Sequence, residues 1–363
     1  MCYAIVRTSF VIYEQYVYYT TSVHHSSVLT YFLEVRKLQA TAAGTFILTI
    51  PKDWAENLGL HKGDLVNVEK QENEIVISAT KQKQTTQTNS INIEEFQDQK
   101  LLELCITASY IQGHDITEIQ SKGKIGPDQK RWVRQAVDGL IGVEISEDYA
   151  NRIVLQNLID PAKFDLDNLL ERFASTSRAV LQDAIAALID KDLSLAQDAY
   201  ERGEQSTKLY RLLMRLAIQA TKSRSIREQM RYTDVPGVVI RIIAIRELGR
   251  MAYYAMRIAQ HVGEIETGLE DQIATLIQKM ARISMEMQNH ALNALMKRDL
   301  AMASSTIDRM AQVRKLFESA HAMITKNSER SALALALIIR DIRAFAGYAV
   351  ALADDAVLGV FAI

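Results

Sequence analysis

Four cations recur on one face of a long helical stretch: Lys208, Arg211, Arg215 and Lys222. Arg224, Arg227 and Arg231 follow on a second face, and Glu228 is the only acid between 208 and 231. Guanidinium and ammonium groups gathered in this way can hold an anion or dock an acidic partner. The plainer alternative is a solvated basic helix face. Nothing of similar density points to catalysis. His261, His290 and His321 fall on separate helical stretches with no i, i+4 partner, and His24-His25 stands without further ligands. Serine and threonine never join histidine in a nucleophile arrangement. The expectation is a protein that is not an enzyme and carries no cofactor.

The elements that position these residues are built twice. Ala184–Tyr210 overlays Ala291–Phe317 without a gap, at a constant offset of 107 residues. Ala184, Ala187, Leu188, Asp192, Leu193, Ala196, Arg202, Gln205, Lys208 and Leu209 each meet an identical residue. Further on the offset falls to 94, so that Arg246-Glu247-Leu248 meets Arg340-Asp341-Ile342 and Tyr254-Ala255 meets Tyr348-Ala349. One unit of a repeat constrains the other. Leu166, Leu170, Phe173, Ser177, Val180, Ala184 and Ala187 step by three and four, which is the seam of an antiparallel bundle. Asp192 and Asp299 are suited to N-caps, and Pro236-Gly237 stops one helix and allows a third from about Val238 to Val262. Two three-helix bundles in tandem are predicted, 164–263 and 266–363.

The chain has 363 residues, which suits two or three domains. Hydrophobic residues make up 48%, enough for substantial cores, while a formal charge of −2 predicts no overall affinity for polyanions or membrane surfaces. Two cysteines, Cys2 and Cys105, are too few for a disulfide framework and fit a reducing cytoplasm. The most apolar stretch, Ala332–Ile339, runs into Arg340, Asp341 and Arg343, so it reads as a buried helix start, and membrane insertion is not expected.

Residues 1–32 lack helical or strand periodicity and read as a disordered or non-native leader. From 33 to 80 the texture changes to short strands around one small helix, DWAENLGL, with Phe46, Leu48 and Ile50 in alternation. So small a unit cannot bury enough surface by itself, and a partner copy is expected. Residues 81–97 are polar and read as a linker. A small α/β connector is predicted over 98–161, with helices Leu101–Gln112 and Asp128–Ile141 and strands Asp115–Ser121, Val143–Ile145 and Ile153–Gln156.

The stretch RKLQATAAGTFILTIPKDWAENLGLHKGDLVNVEKQENEIVISA resembles the AbrB/MazE/SpoVT swapped-hairpin domain through its IPK-x-W and LGL-x-KGD patterns. That resemblance implies an intertwined homodimer of a kind that commonly binds DNA. The arginines that family members often carry in the first loop and on the short helix are missing here, but a dimer would present Arg36, Lys37 and Lys52 twice on one face. Seven cations (Arg36, Lys37, Lys52, Lys62, Lys70, Lys81, Lys83) stand against six acids (Asp53, Glu56, Asp64, Glu69, Glu72, Glu74). This is a thin polyelectrolyte footprint, which leaves dimerisation alone as the alternative.

GHDITEIQSKGKIGPDQ, LIGVEISEDYANRIVLQNLIDPAKFD and LIDKDLSLAQDAYERGEQSTKLYRLLMR resemble the PhoU family of phosphate-uptake regulators, in the archaeal-type form with an AbrB-like domain in front. The whole is thus read as multidomain and mainly α. A swapped-hairpin β domain comes first, then the connector, then two PhoU-like bundles. The resemblance implies phosphate homeostasis, with a phosphate transporter or sensor kinase as a further partner. It also implies acid pairs at i and i+4 on each third helix that hold a hard metal. Those positions fall here at Gly249 and Tyr253, and at Arg343 and Gly347. On the second helices only Glu204 survives, so no metal cluster is expected.

Overall fold

The computed structural model describes residues 35–42, 44–70, 75–79, 86–265, 269–325 and 331–361; the expected leader lies outside them. The chain divides into two units, Met1–Gln84 and Thr85–Ile363.

In the first unit, β1 (Gln39–Ala40) pairs antiparallel with β2 (Phe46–Ile47). The short helix α1 (Lys52–Asn57) begins directly after Pro51, whose fixed φ suits a helix start. β3 (Val66–Lys70) then pairs antiparallel with β4 (Ile75–Ala79), Val68 opposite Ile77. The two hairpins are separate two-stranded sheets. Among the described residues of this unit none is buried. Phe46, Leu65, Val68 and Ile75 are 68%, 81%, 63% and 71% exposed, so the alternation visible in the sequence has no core of its own to point into.

The second unit opens with a four-stranded sheet in the order β5-β6-β8-β7. β5 (Thr88–Asn92) runs parallel to β6 (Ile116–Gln120), and β8 (Arg152–Asn157) is antiparallel to both β6 and β7 (Val143–Asp148). Residues 81–97 are therefore not linker throughout, because 88–92 supply an edge strand and Ile91 and Ile93 are buried beneath it. Helices α2 (Gln99–Ile111) and α3 (Pro127–Asp138) cover one face through Leu102, Ile106, Tyr110 and Val133.

The helical half contains α4 (Leu166–Asp190), α5 (Leu193–Lys222), a short α6 (Arg224–Gln229), α7 (Val235–Val262), α8 (Asp271–Lys297), α9 (Leu300–Ile324) and α10 (Ser331–Phe361). The repeat is reproduced to the residue. α4 ends at Asp190 and α8 at Lys297; Lys191 and Arg298 both turn left-handed at φ 55°. Asp192 Oδ1 then accepts from Leu195 N at 3.0 Å, and Asp299 Oδ1 from Met302 N at 3.0 Å. Ser223 breaks the expected second helix, its Oγ accepting from Ile226 N to start α6.

The two bundles are not independent. α7 packs on α10 and α4 on α8, and one continuous apolar core runs through both. Buried Gln288 stitches the seam, donating to Ser177 Oγ at 2.8 Å. α10 is long and apolar enough, by length and composition, to cross a membrane. Only its first third was legible as apolar. In the fold, Ile338, Ile342, Phe345 and Leu352 are fully buried against the other helices, and Asp341 and Asp355 are buried with them.

Candidate ligand cleft in the first helical bundle

A cleft of about 270 Å³ opens between α5 and α7, just where the expected metal pair would stand. Two glycines line it, each closely covered by a side chain. A Cβ on Gly249 would lie 2.8 Å from the Tyr210 ring, and one on Gly203 would lie 2.9 Å from Met256 Cβ. Glycine thus lets the Tyr210 ring lie directly on α7, beside Phe173 at 6.2 Å between centroids. Met256 and Ala252 complete the apolar wall, and Tyr253 lies at the lip.

The polar lining is Ser206, Thr207, Tyr210, Tyr253, Arg246 and Arg250, with no carboxylate among them. Ser206 Oγ donates to Gly203 O at 2.6 Å. Glu204, the surviving acid, is exposed and accepts from the Tyr200 hydroxyl at 3.1 Å. A hard cation needs an array of oxygen ligands, preferably anionic. Two guanidiniums and neutral hydroxyls are the wrong donor set. At the matching place in the second bundle, Arg343 lies over the Phe317 ring at 4.6 Å. Gly347 has open space where its Cβ would be. The described residues contain no group of three or more histidine, cysteine or acidic side chains that could hold a metal ion.

The basic stripe has a different place in the fold from the anion or partner surface expected of it. Arg215 is fully buried. Its Nη1 donates to Tyr110 O at 2.6 Å and His114 O at 3.0 Å, and Nη2 donates to Gly113 O at 3.4 Å. The guanidinium also lies 5.0 Å from the Tyr110 ring centre. Lys222 Nζ donates to Gln112 O at 2.7 Å, and Arg211 Nη1 to Gly139 O at 3.0 Å. These carbonyls lie at the C-terminal ends of α2 and α3, where cations are favoured. Three of the four cations therefore fasten the connector to α5, and burial pulls the pKa of each downward. Lys208 remains exposed. The Tyr110 hydroxyl, pushed up to about 12 chiefly by burial, donates to Ile141 O at 3.1 Å.

In the first unit Arg36, Lys37 and Lys52 are all exposed. Lys52 Nζ lies 3.5 Å from Glu56 Oε1 on the same helix, so part of its charge is already balanced.

Sequence reading missed Arg246 and Arg250. The available signal was a basic i, i+4 pair bracketing a glycine at a position where the PhoU resemblance implies an acid.

Compared with known proteins, the chain matches two family models. Residues 39–85 match "Antidote-toxin recognition MazE, bacterial antitoxin". Residues 170–262 and 277–356 match the PhoU domain, once per bundle. Among solved structures, the phosphate transport system regulatory protein PhoU from Streptococcus pneumoniae is 18% identical, over 56% of this chain and 98% of that one, with a TM-score of 0.46. PhoU from Pseudomonas aeruginosa is 19% identical, over 54% and 95%, with a TM-score of 0.40. No curated protein matches the chain. The PhoU domain is a regulatory, non-catalytic module. With one copy in each half of the helical repeat and a hairpin unit in front, the chain carries a PhoU-family domain preceded by a MazE/AbrB-like domain.

Proposed function

We propose that the chain is a cytoplasmic, dimeric regulator of phosphate uptake, of the archaeal type. Its N-terminal unit contacts DNA, and its helical half senses or relays phosphate status. The observation that carries this reading is the combination of PhoU bundles with a hairpin unit that buries none of its described residues. A second copy of the unit would cover Phe46, Leu65, Val68 and Ile75 in a swapped hairpin, and would bring two sets of Arg36, Lys37 and Lys52 to one duplex. Phosphate contact by cations then supplies affinity that falls steeply with salt.

A second reading makes the protein an adaptor that docks a phosphate transporter or sensor kinase, with the N-terminal unit serving dimerisation alone. The Lys52–Glu56 pair and the near balance of charge around it favour that reading.

Mobility shift of the full chain on duplex DNA, titrated with salt, separates the two. The regulator reading expects binding that weakens with salt and is lost when Arg36, Lys37 and Lys52 are all replaced by alanine. Absence of binding at low salt would leave the adaptor, and a monomer in sedimentation would remove both.

A further inference from the structure

We propose that the α5–α7 cleft is a binding site for a phosphoryl group, free or esterified, clasped by Arg246 and Arg250. The inference deepens the sensing role given to the helical half and stands whether or not the N-terminal unit meets DNA.

Arg246 and Arg250 lie one turn apart on the same face of α7, and both are exposed. Like charges at that spacing weaken a helix. Several other arginines of the half are matched: Arg241 with Asp167 at 2.9 Å, Arg257 with Asp341 at 3.3 Å, Arg309 with Glu286 at 3.1 Å. Among the described residues, no carboxylate comes within 4 Å of Arg246 or Arg250 in the way that it does for those three. Glu247, which stands between the two in sequence, has its Oε2 buried. Two guanidiniums converging on a cleft without acids is an arrangement suited to an oxyanion, which each can meet with paired N–H donors.

The neutral groups fit the same ligand. The hydroxyls of Thr207, Tyr210 and Tyr253 line the cleft, and none of them is bonded to another described residue. The space exceeds what a lone inorganic anion fills, and the Tyr210 ring and Met256 offer an apolar bed for the body of an ester.

The repeat supplies an internal control. At the matching positions of the second copy, Gly203 becomes Met310, Gly249 becomes Arg343, Thr207 becomes Arg314, and Arg250 becomes Ala344. Arg343 there lies over the ring of Phe317, the counterpart of Tyr210. In the second copy Arg340, the counterpart of Arg246, is paired with Asp341 and Arg343 is laid on Phe317; in the first copy Arg246 and Arg250 line the cleft without a carboxylate.

Isothermal titration of the full chain with inorganic phosphate and, separately, with adenosine monophosphate tests the site, with sodium chloride as an ionic-strength control. We expect one phosphoryl ligand per chain. Binding should weaken at least ten-fold in Arg246→Ala and in Arg250→Ala, and vanish in the double variant. Binding of the nucleotide alone identifies an ester as the ligand, and binding of both in competition identifies the bare phosphoryl group as sufficient. Both side chains are exposed, so thermal unfolding of the variants should match the parent and separate lost binding from lost fold. Absence of heat from either ligand at millimolar concentration, or binding that survives the double substitution, would overturn the assignment. Neither result depends on the mobility-shift outcome.

Discussion

Glu247 on α7 and Asp355 on α10 share the apolar seam between the two bundles, each with one carboxylate oxygen buried and without a hydrogen-bond partner. The repeat explains the pairing. An offset of 94 carries Glu247 to Asp341, and the same offset carries His261 to Asp355. There Asp341 is balanced by Arg257, 3.3 Å away, and by Arg340, whose Nη2 donates to Oδ1 at 3.0 Å. The counterpart of Arg257 is Ala351, so the Glu247–Asp355 pair has no buried cation to match.

That asymmetry fixes a pH dependence. Burial first, then the charges of Glu247 and Asp354, push Asp355 up to about 7, and burial raises Glu247 as well. Arg246 and Arg250 pull Glu247 the other way. A carboxyl whose folded pKa exceeds its unfolded value favours the folded state while it is protonated. The favour is lost as pH rises from about 4 to about 7 and is then gone. Stability should therefore fall across that window by on the order of 2–4 kcal/mol. Asp355→Asn should flatten the slope and be the more stable protein at pH 8. Urea unfolding at pH 5 and pH 8 reads this directly, and parallel slopes for parent and variant would contradict it.

Arg215 should behave as a fastening and not as a recognition residue. Replacing it by methionine keeps the stem but removes its donors; Tyr110 O keeps the Gly113 amide and Gly113 O the Gln219 amide, which leaves half-buried His114 O without a donor. An orphaned group costs about 1–3 kcal/mol, so Arg215→Met should lose about that much in urea. Lys222→Ala, at an exposed position, should lose under about 1 kcal/mol. Limited proteolysis should cut the connector of the methionine variant faster than its helices. Equal stability of the two variants would refute this role.

Removing apolar surface from the N-terminal unit tests the second copy. Val68 is 63% exposed opposite Ile77, so Val68→Asp is harmless to a lone hairpin but places a charge in a shared core. Sedimentation of the full chain should show the parent as a dimer and the variant shifted toward monomer at micromolar concentration. A variant that sediments as the parent does would argue against this face as the contact.

The helical half was legible because its signals are local: Asp192 and Asp299 cap their own helices, and the seam from Leu166 to Ala187 repeats at helical spacing. β5 was not, because Thr88–Asn92 has one buried apolar residue, Ile91, and gets its place by pairing with β6. The basic stripe was seen but its partners were hidden. Arg215 bonds to backbone carbonyls about a hundred positions away, and carbonyls carry no residue signature. The cleft was invisible for a related reason. Gly203 and Gly249 look like breakers within helices, and only the packing of Tyr210 and Met256 shows what they leave room for.

The duplicated turn offers the sharpest comparison between the copies, because one chain carries the same device twice. Lys191 and Arg298 each hold a left-handed backbone that glycine adopts without strain. Asp192 and Asp299 each accept one amide proton at 3.0 Å. Asp192→Ala and Asp299→Ala should each cost about 1 kcal/mol, while Lys191→Gly and Arg298→Gly should each gain about 0.5 kcal/mol. Because one core runs through both bundles, unfolding should remain a single transition in every variant, and the double cap variant should lose the sum of the two. Urea titration followed by circular dichroism measures all of this. If Asp299→Ala instead splits the transition in two, the bundles unfold separately and the seam through Gln288 does not couple them.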